Sequence, residues 1–161
     1  MKRSTTICVL SLLLLLLFSS IVRAEDFAGK VVGISDGDTI KVMRQGKAEK
    51  VRLYGIDCTE KGQAFGNRAK QFTSRMVFGQ EVQVKTHGCD RYGRILGDVF
   101  TLNGRSLNQE LVRAGYAWWY RRYSNDANLK ALEKQARAAK RGLWADPHAA
   151  PPWEWRHGNR K

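Results

Sequence analysis

Three acidic and two basic side chains carry most of the chemistry that this sequence can perform. Asp57 and Glu60 fall within one short turn of a strand bearing Arg52, in the stretch Val51-Arg52-Leu53-Tyr54-Gly55-Ile56-Asp57-Cys58-Thr59-Glu60. Asp38 lies just past an Asp36-Gly37 turn, and Arg94 closes the loop from His87 to Arg94. Two carboxylates plus a backbone carbonyl suit a hard, oxygen-seeking cation, Ca²⁺ or Mg²⁺, with waters and a phosphate oxygen completing its shell. Zinc is disfavoured, because His87, His148 and His157 lack ligand spacing and the cysteines are far apart. Two arginines grip a phosphodiester through paired N–H donors, which lysines cannot do equally well. Glu60, left over from the metal, is free to accept the proton of an attacking water. Together these groups suffice for metal-assisted phosphodiester hydrolysis. Alone, the stretch 51–60 reads equally as a surface ion pair at a strand end.

The elements that must position them follow from periodicity. Val51 and Leu53 alternate with Arg52 and Tyr54, so one strand face is apolar and the other carries the arginine. Two strands precede it, one carrying Val32 and Ile34 and the next spanning Asp38 to Met43, with turns at Asp36-Gly37 and Gln45-Gly46; the third strand runs from Lys50 to Tyr54. Phe65, Ala69, Phe72 and Met76 recur at helical spacing, and Gly79 ends that helix. A fourth strand carries Val82 and Val84, and a fifth runs from Ile95 to Thr101. Ser106-Leu107-Asn108-Gln109 has the form of a capping box opening a helix to about Arg113. Leu129, Leu132, Ala136, Ala139 and Leu143 mark a longer helix, with Gly142 as its cap and a basic opposite face that reads as a solvated exterior. The expected class is α+β, a five-stranded OB-type β-barrel with three α-helices. In such a barrel Asp38, Asp57, Glu60 and Arg94 can share one rim.

Charge sets the partner class. The 161 residues hold 28 Lys+Arg against 15 Asp+Glu, a formal +13, which favours a polyanion, either nucleic acid or an anionic membrane. A membrane-active protein would need an amphipathic helix with a large apolar face, and none is evident. Lys2 and Arg3, a Leu-rich run from Ile7 to Phe18, and Val22-Arg23-Ala24 form a secretory signal peptide over 1–24, cleaved after Ala24. An OB-fold domain over 25–145 and a basic Pro/Trp tail over 146–161 follow. The tail, with Pro147, Pro151 and Pro152, is not expected to be regular, although Trp153 and Trp155 should fold back onto the body. The exported product, periplasmic or secreted, would be a monomer without stable membrane association. Export leaves Cys58 and Cys89, and an even pair in an oxidising compartment invites a disulfide; two unrelated thiols are the alternative.

Asp36-Gly37-Asp38-Thr39, Arg52 to Glu60, and Asp90-Arg91-Tyr92-Gly93-Arg94 closely resemble the three motifs of the thermonuclease family, the staphylococcal-nuclease-like proteins. Glu110 to Gly115 and Gly142-Leu143-Trp144 extend the likeness over nearly all of the chain beyond Ala24. The resemblance implies a Ca²⁺-dependent nuclease that cuts DNA and RNA and leaves 3′-phosphates. It maps metal binding onto Asp38, Asp57 and the carbonyl of Cys58, and catalysis onto Arg52, Glu60 as general base, and Arg94. Tyr92 and Tyr123 keep aromatic character near the expected nucleotide pocket, where stacking on a base is worth roughly 1–3 kcal/mol each. Cys58-Thr59 replaces a Thr-Pro of the family's best-known member, so the turn loses proline's rigidity. The loop from Glu60 to Phe65 is also shorter, and Trp118 to Tyr123 replaces a tyrosine-bearing stretch. The rival function is an exported OB-fold module that binds single strands without cutting them. Such a module has no use for three carboxylates on a phosphate-binding rim.

Overall fold

The computed structural model describes residues 25–158; the leader expected over 1–24 and the last three residues of the tail lie outside them. Alternation builds the barrel. Strands β1 (Phe27–Asp36), β2 (Thr39–Arg44) and β3 (Lys47–Leu53) form an antiparallel meander, followed by a short β4 (Ile56–Cys58). Helix α1 (Gly66–Val77) leads to β5 (Glu81–Cys89) and β6 (Ile95–Thr101). The five long strands close into a barrel in the order β1-β2-β3-β6-β5, with β3 and β6 parallel and β1 pairing β5. Val31, Ile40, Val42, Val51, Leu53, Val82, Val84, Ile95 and Val99 point inward and are buried, as the period-2 pattern requires.

Helix α1 packs Ala69, Thr73 and Val77 against the barrel, and the Thr73 hydroxyl donates to the Gly37 carbonyl at 2.5 Å. Helix α2 (Leu107–Arg113) opens where the capping box was expected: the Ser106 hydroxyl oxygen accepts from the Gln109 N–H at 3.3 Å. Strand β7 (Ala117–Trp119) pairs with β4 in a second, two-stranded sheet. Helix α3 (Ala127–Ala138) is capped by the Asp126 carboxylate, and a 3₁₀ turn (Gly142–Ala145) and α4 (Pro152–Gly158) follow.

Several boundaries differ from the sequence reading. β3 begins at Lys47 rather than Lys50, because Gln45 and Gly46 both take positive φ, 49° and 80°, and form a two-residue hairpin turn that pairs Arg44 with Lys47. β5 runs on to Cys89, through a register shift between Thr86 and Cys89 that keeps it paired with β6, so the expected loop shrinks to the residues after Cys89. The β4–β7 sheet went unread, since three-residue strands carry no periodicity. The tail contains a fourth helix: Pro152 stands at its first position, where a missing N–H costs nothing. Trp153 folds back as expected, whereas Trp155 stays partly exposed. Among the described residues, no helix is long and apolar enough to cross a membrane.

Candidate active site

The geometry of the site begins with two turns that deliver aspartates to one guanidinium. The β1–β2 turn places Asp38 between Gly37 and the first residue of β2. It passes so close to α1 and β4 that a Cβ on Gly37 would sit 2.8 Å from the Cβ of Ala69 and 2.9 Å from that of Cys58. At the end of β3, Gly55 turns the chain at φ +73°, a conformation glycine adopts without strain, and β4 then presents Asp57. Arg52 projects from the outer face of β3, while its neighbours Val51 and Leu53 face the core.

Arg52 binds both carboxylates. Its Nη1 lies 2.8 Å from Asp38 Oδ2 and its Nη2 lies 2.7 Å from Asp57 Oδ1. Nη1 also donates to the carbonyls of Ile56 and Leu53, at 3.2 and 3.3 Å. The acids are almost sealed from solvent, Asp38 at 5% and Asp57 at 1% exposed. Asp38 Oδ2 also accepts the N–H of Cys58 at 2.6 Å, which ties two of the expected metal-binding residues together. Burial raises the Asp38 carboxyl to about 7, only partly offset by Arg52 beside it and by the Cys58 N–H. Burial acts to lower the Arg52 pKa, but Asp38 and Asp57 outweigh it and hold the guanidinium above its ordinary value.

A second arginine, absent from the sequence reading, completes the cluster. Arg156 on α4 places Nη2 2.7 Å from Asp57 Oδ2, and its Nη1 reaches Glu60 Oε1 and, at 3.4 Å, Asp57 Oδ1. Burial works against this charge, but the bonds to Asp57 and Glu60 prevail and raise its pKa. The only sequence signal for it was a basic residue beside two tail tryptophans.

The remaining expected residues lie outside this cluster. Arg94 is held in its own turn: its Nε donates to Asp90 Oδ2 at 2.7 Å, its N–H to Asp90 Oδ1 at 3.0 Å, and its guanidinium lies over the Tyr92 ring at 5.6 Å. The parallel register pairs Val51 with Ile95, so Arg94 precedes β6 on the same outer side as Arg52. Tyr92 and Tyr123 are 67% and 56% exposed on separate turns. Tyr123 packs edge-on against Tyr120 and its carbonyl accepts the Tyr54 hydroxyl at 2.6 Å. Cys58 and Cys89 are free thiols, so the expected bridge is not formed: Cys58 faces the core between α1 and the Gly37 turn, whereas Cys89 ends β5 in solvent. Burial, with Asp38 next, pushes the Cys58 thiol well up.

Among the described residues no group of three or more His, Cys, Asp and Glu side chains stands ready-made around a metal. The donor chemistry nevertheless fits a hard cation. Asp38, Asp57 and Glu60 offer only oxygens, and their charge is concentrated enough to hold two guanidinium groups. Beside them, Trp118, Tyr120, Arg121, Arg122, Trp153 and His157 line an open cleft of about 570 Å³.

A closed five-stranded OB-type barrel that carries this acidic cluster, in a chain of formal charge +13, suits a barrel nuclease. The family described as "Staphylococcal nuclease homologue" matches residues 50–146, and the chain belongs to it, as a nuclease of that family. An "Uncharacterized endonuclease" of Escherichia coli is 46% identical over 145 residues, covering 90% of this chain and 95% of that protein. A "Micrococcal nuclease" of Shigella flexneri is 43% identical over 154 residues, covering 89% and 88% of the two chains.

Proposed function

We propose that this protein is an exported, monomeric, Ca²⁺-dependent nuclease that hydrolyses phosphodiester bonds in DNA and RNA. The observation that carries this reading is the pair of buried aspartates joined through Arg52, with Glu60 beside them, in a chain of formal charge +13. Acidic groups weaken the grip on a polyanion, so a module that only binds nucleic acid gains nothing from them. A cation-assisted hydrolase needs them.

Asp38, Asp57 and the carbonyl of Cys58 are the groups that would hold the cation, which when bound supplies charge neutralisation and polarisation at the phosphate. The residues do the rest. Glu60, half-exposed, accepts the proton of the attacking water. Arg52 spends Nη1 and part of Nη2 on the two aspartates and the β3–β4 carbonyls, which fixes both ligands before substrate arrives. Its Nε–H, which has no acceptor among the described residues, remains for a phosphate oxygen. Arg94, oriented by Asp90, supplies a second guanidinium for charge growing on the phosphate. Tyr92, Tyr123 and the neighbouring aromatic cleft offer surfaces on which bases stack.

Incubation of the protein lacking residues 1–24 with plasmid DNA and with RNA, in Ca²⁺, Mg²⁺ or EGTA, tests this. Cleavage of both in Ca²⁺ is expected, abolished by EGTA and by Asp57→Asn. Asp57→Asn should still retard DNA in low salt, because the basic surface supplies most non-specific affinity. Retardation by the wild-type protein without cleavage in any metal would instead identify the binding module.

A further inference from the structure

Arg156 holds oxygens that the cation needs. Both oxygens of Asp57 have cationic partners: Oδ1 faces Arg52 at 2.7 Å, and Oδ2 faces Arg156 at 2.7 Å. The other arm of the same guanidinium takes Glu60 Oε1, one of the two oxygens of the proposed general base. A divalent ion drawing on Asp57 and this guanidinium therefore compete for the same lone pairs and repel each other.

The placement of Arg156 is built rather than incidental. Trp153, three residues earlier on α4, stacks on Tyr120 with ring centroids 5.2 Å apart and an angle of 2°, and meets Trp118 edge-on at 5.6 Å. Pro151 and Pro152 are buried, and Gln63 Nε2 donates to the Ala150 carbonyl at 2.7 Å. Gln63 Oε1 accepts the Glu60 N–H at 3.1 Å, so one side chain ties the tail to the turn bearing the general base. Helix α4 lies beyond residue 146, where the family match ends.

The two arginines of the cluster differ in permanence. Arg52 and Asp57 have side chains 12% and 1% exposed, whereas Arg156 and Glu60 are 36% and 38% exposed. Water reaches the second pair, screens it and makes exchange cheap, while the first stays locked. The tail pair is therefore the movable one.

We infer that Arg156 is a tethered competitor of the catalytic cation, a C-terminal plug that occupies Asp57 and Glu60 until a divalent ion displaces it. The inference rests on the proposed metal reading of Asp57. It makes the apparent cation affinity the intrinsic one scaled by the fraction of molecules with the plug open. A cation-poor compartment then keeps the general base paired and the nuclease idle.

Calorimetric titration with Ca²⁺, without nucleic acid, tests this on the protein lacking residues 1–24, its Arg156→Gln and Arg156→Lys variants, and Asp57→Asn as the site control. Arg156→Gln should bind Ca²⁺ about tenfold more tightly, the factor for a plug closed about nine-tenths of the time. Arg156→Lys keeps the charge but cannot bridge two carboxylates, and should fall between it and the wild type. Unchanged or weaker Ca²⁺ binding in Arg156→Gln, with binding still lost in Asp57→Asn, would overturn the plug and leave the nuclease reading intact. Binding that is absent from both the wild type and Arg156→Gln, or indifferent to Asp57→Asn, would overturn both.

Discussion

Replacing Arg52 by methionine keeps an unbranched apolar stem and removes the guanidinium with its charge. Asp38 and Asp57 then lose the guanidinium that holds them at 2.8 and 2.7 Å in a setting where all three side chains are 12% exposed or less. Breaking a buried ion pair by removing one partner costs about 3–5 kcal/mol. Both pairs share one guanidinium, so their losses are counted once rather than summed. For a chain of this size that loss lowers Tm by about 10–15 °C. Circular dichroism melting at pH 8 in EGTA is the assay, with Lys47→Met as the control. Lys47 pairs with Glu49 at 2.9 Å but is 77% exposed, and the control should shift stability by about 0–1 kcal/mol. At pH 6 the Arg52→Met loss should shrink, because Asp38, already pushed to about 7 by burial, takes up a proton at little cost. Ca²⁺ at a hundred times Kd should raise the stability of the variant itself by about 2.7 kcal/mol over its value in EGTA. An Arg52→Met protein melting within about 3 °C of wild type in EGTA would refute the claim that this guanidinium neutralises the aspartates.

The thiols and the Arg94 turn supply two further tests. With an aromatic disulfide reagent, exposed Cys89 should react at once and buried Cys58 only after unfolding; a native mass two hydrogens light would instead show that they had bridged. In the Arg94 turn, burial would raise Asp90, but N–H donors from Arg94 and Tyr92 hold it below its ordinary 3.8. The stability this carboxylate lends is thus complete above about pH 4 and lost as pH falls through its depressed native value. Asp90→Asn should cut kcat about tenfold by loosening Arg94, as for loss of a charge-assisted hydrogen bond. Wild-type kcat in that variant would show that Asp90 does not position Arg94.

Most of the barrel was legible because its strands are long enough for a period to declare itself. Ile40 and Val42, Val51 and Leu53, and Val82 and Val84 each alternate with polar neighbours, and burial follows that alternation. Reading failed where conformation rather than hydrophobicity decides. Gln45 at positive φ moved the start of β3, and a register shift carried β5 past Gly88, a residue that reads as a loop. The β4–β7 pair depends on a contact between residues about sixty positions apart, and local pattern holds no record of it.

The site divides along the same line. Arg52, Asp57 and Glu60 lie within nine residues, and a strand followed by a glycine bend nearly dictates that they emerge together. Asp38 joins them through one hairpin, β2–β3, whose register sets Thr39 opposite Arg52. Arg156 is 99 residues from Asp57, on a segment whose prolines argue against regular structure. Those prolines act in the opposite sense: Pro152 sits where a helix tolerates it, and Trp153 supplies the anchor. Composition showed a surplus of arginine but not where it goes. Which arginine answers a buried aspartate is a property of packing, here of Trp153 against Tyr120, so the electrostatics of this site follow from its aromatic contacts.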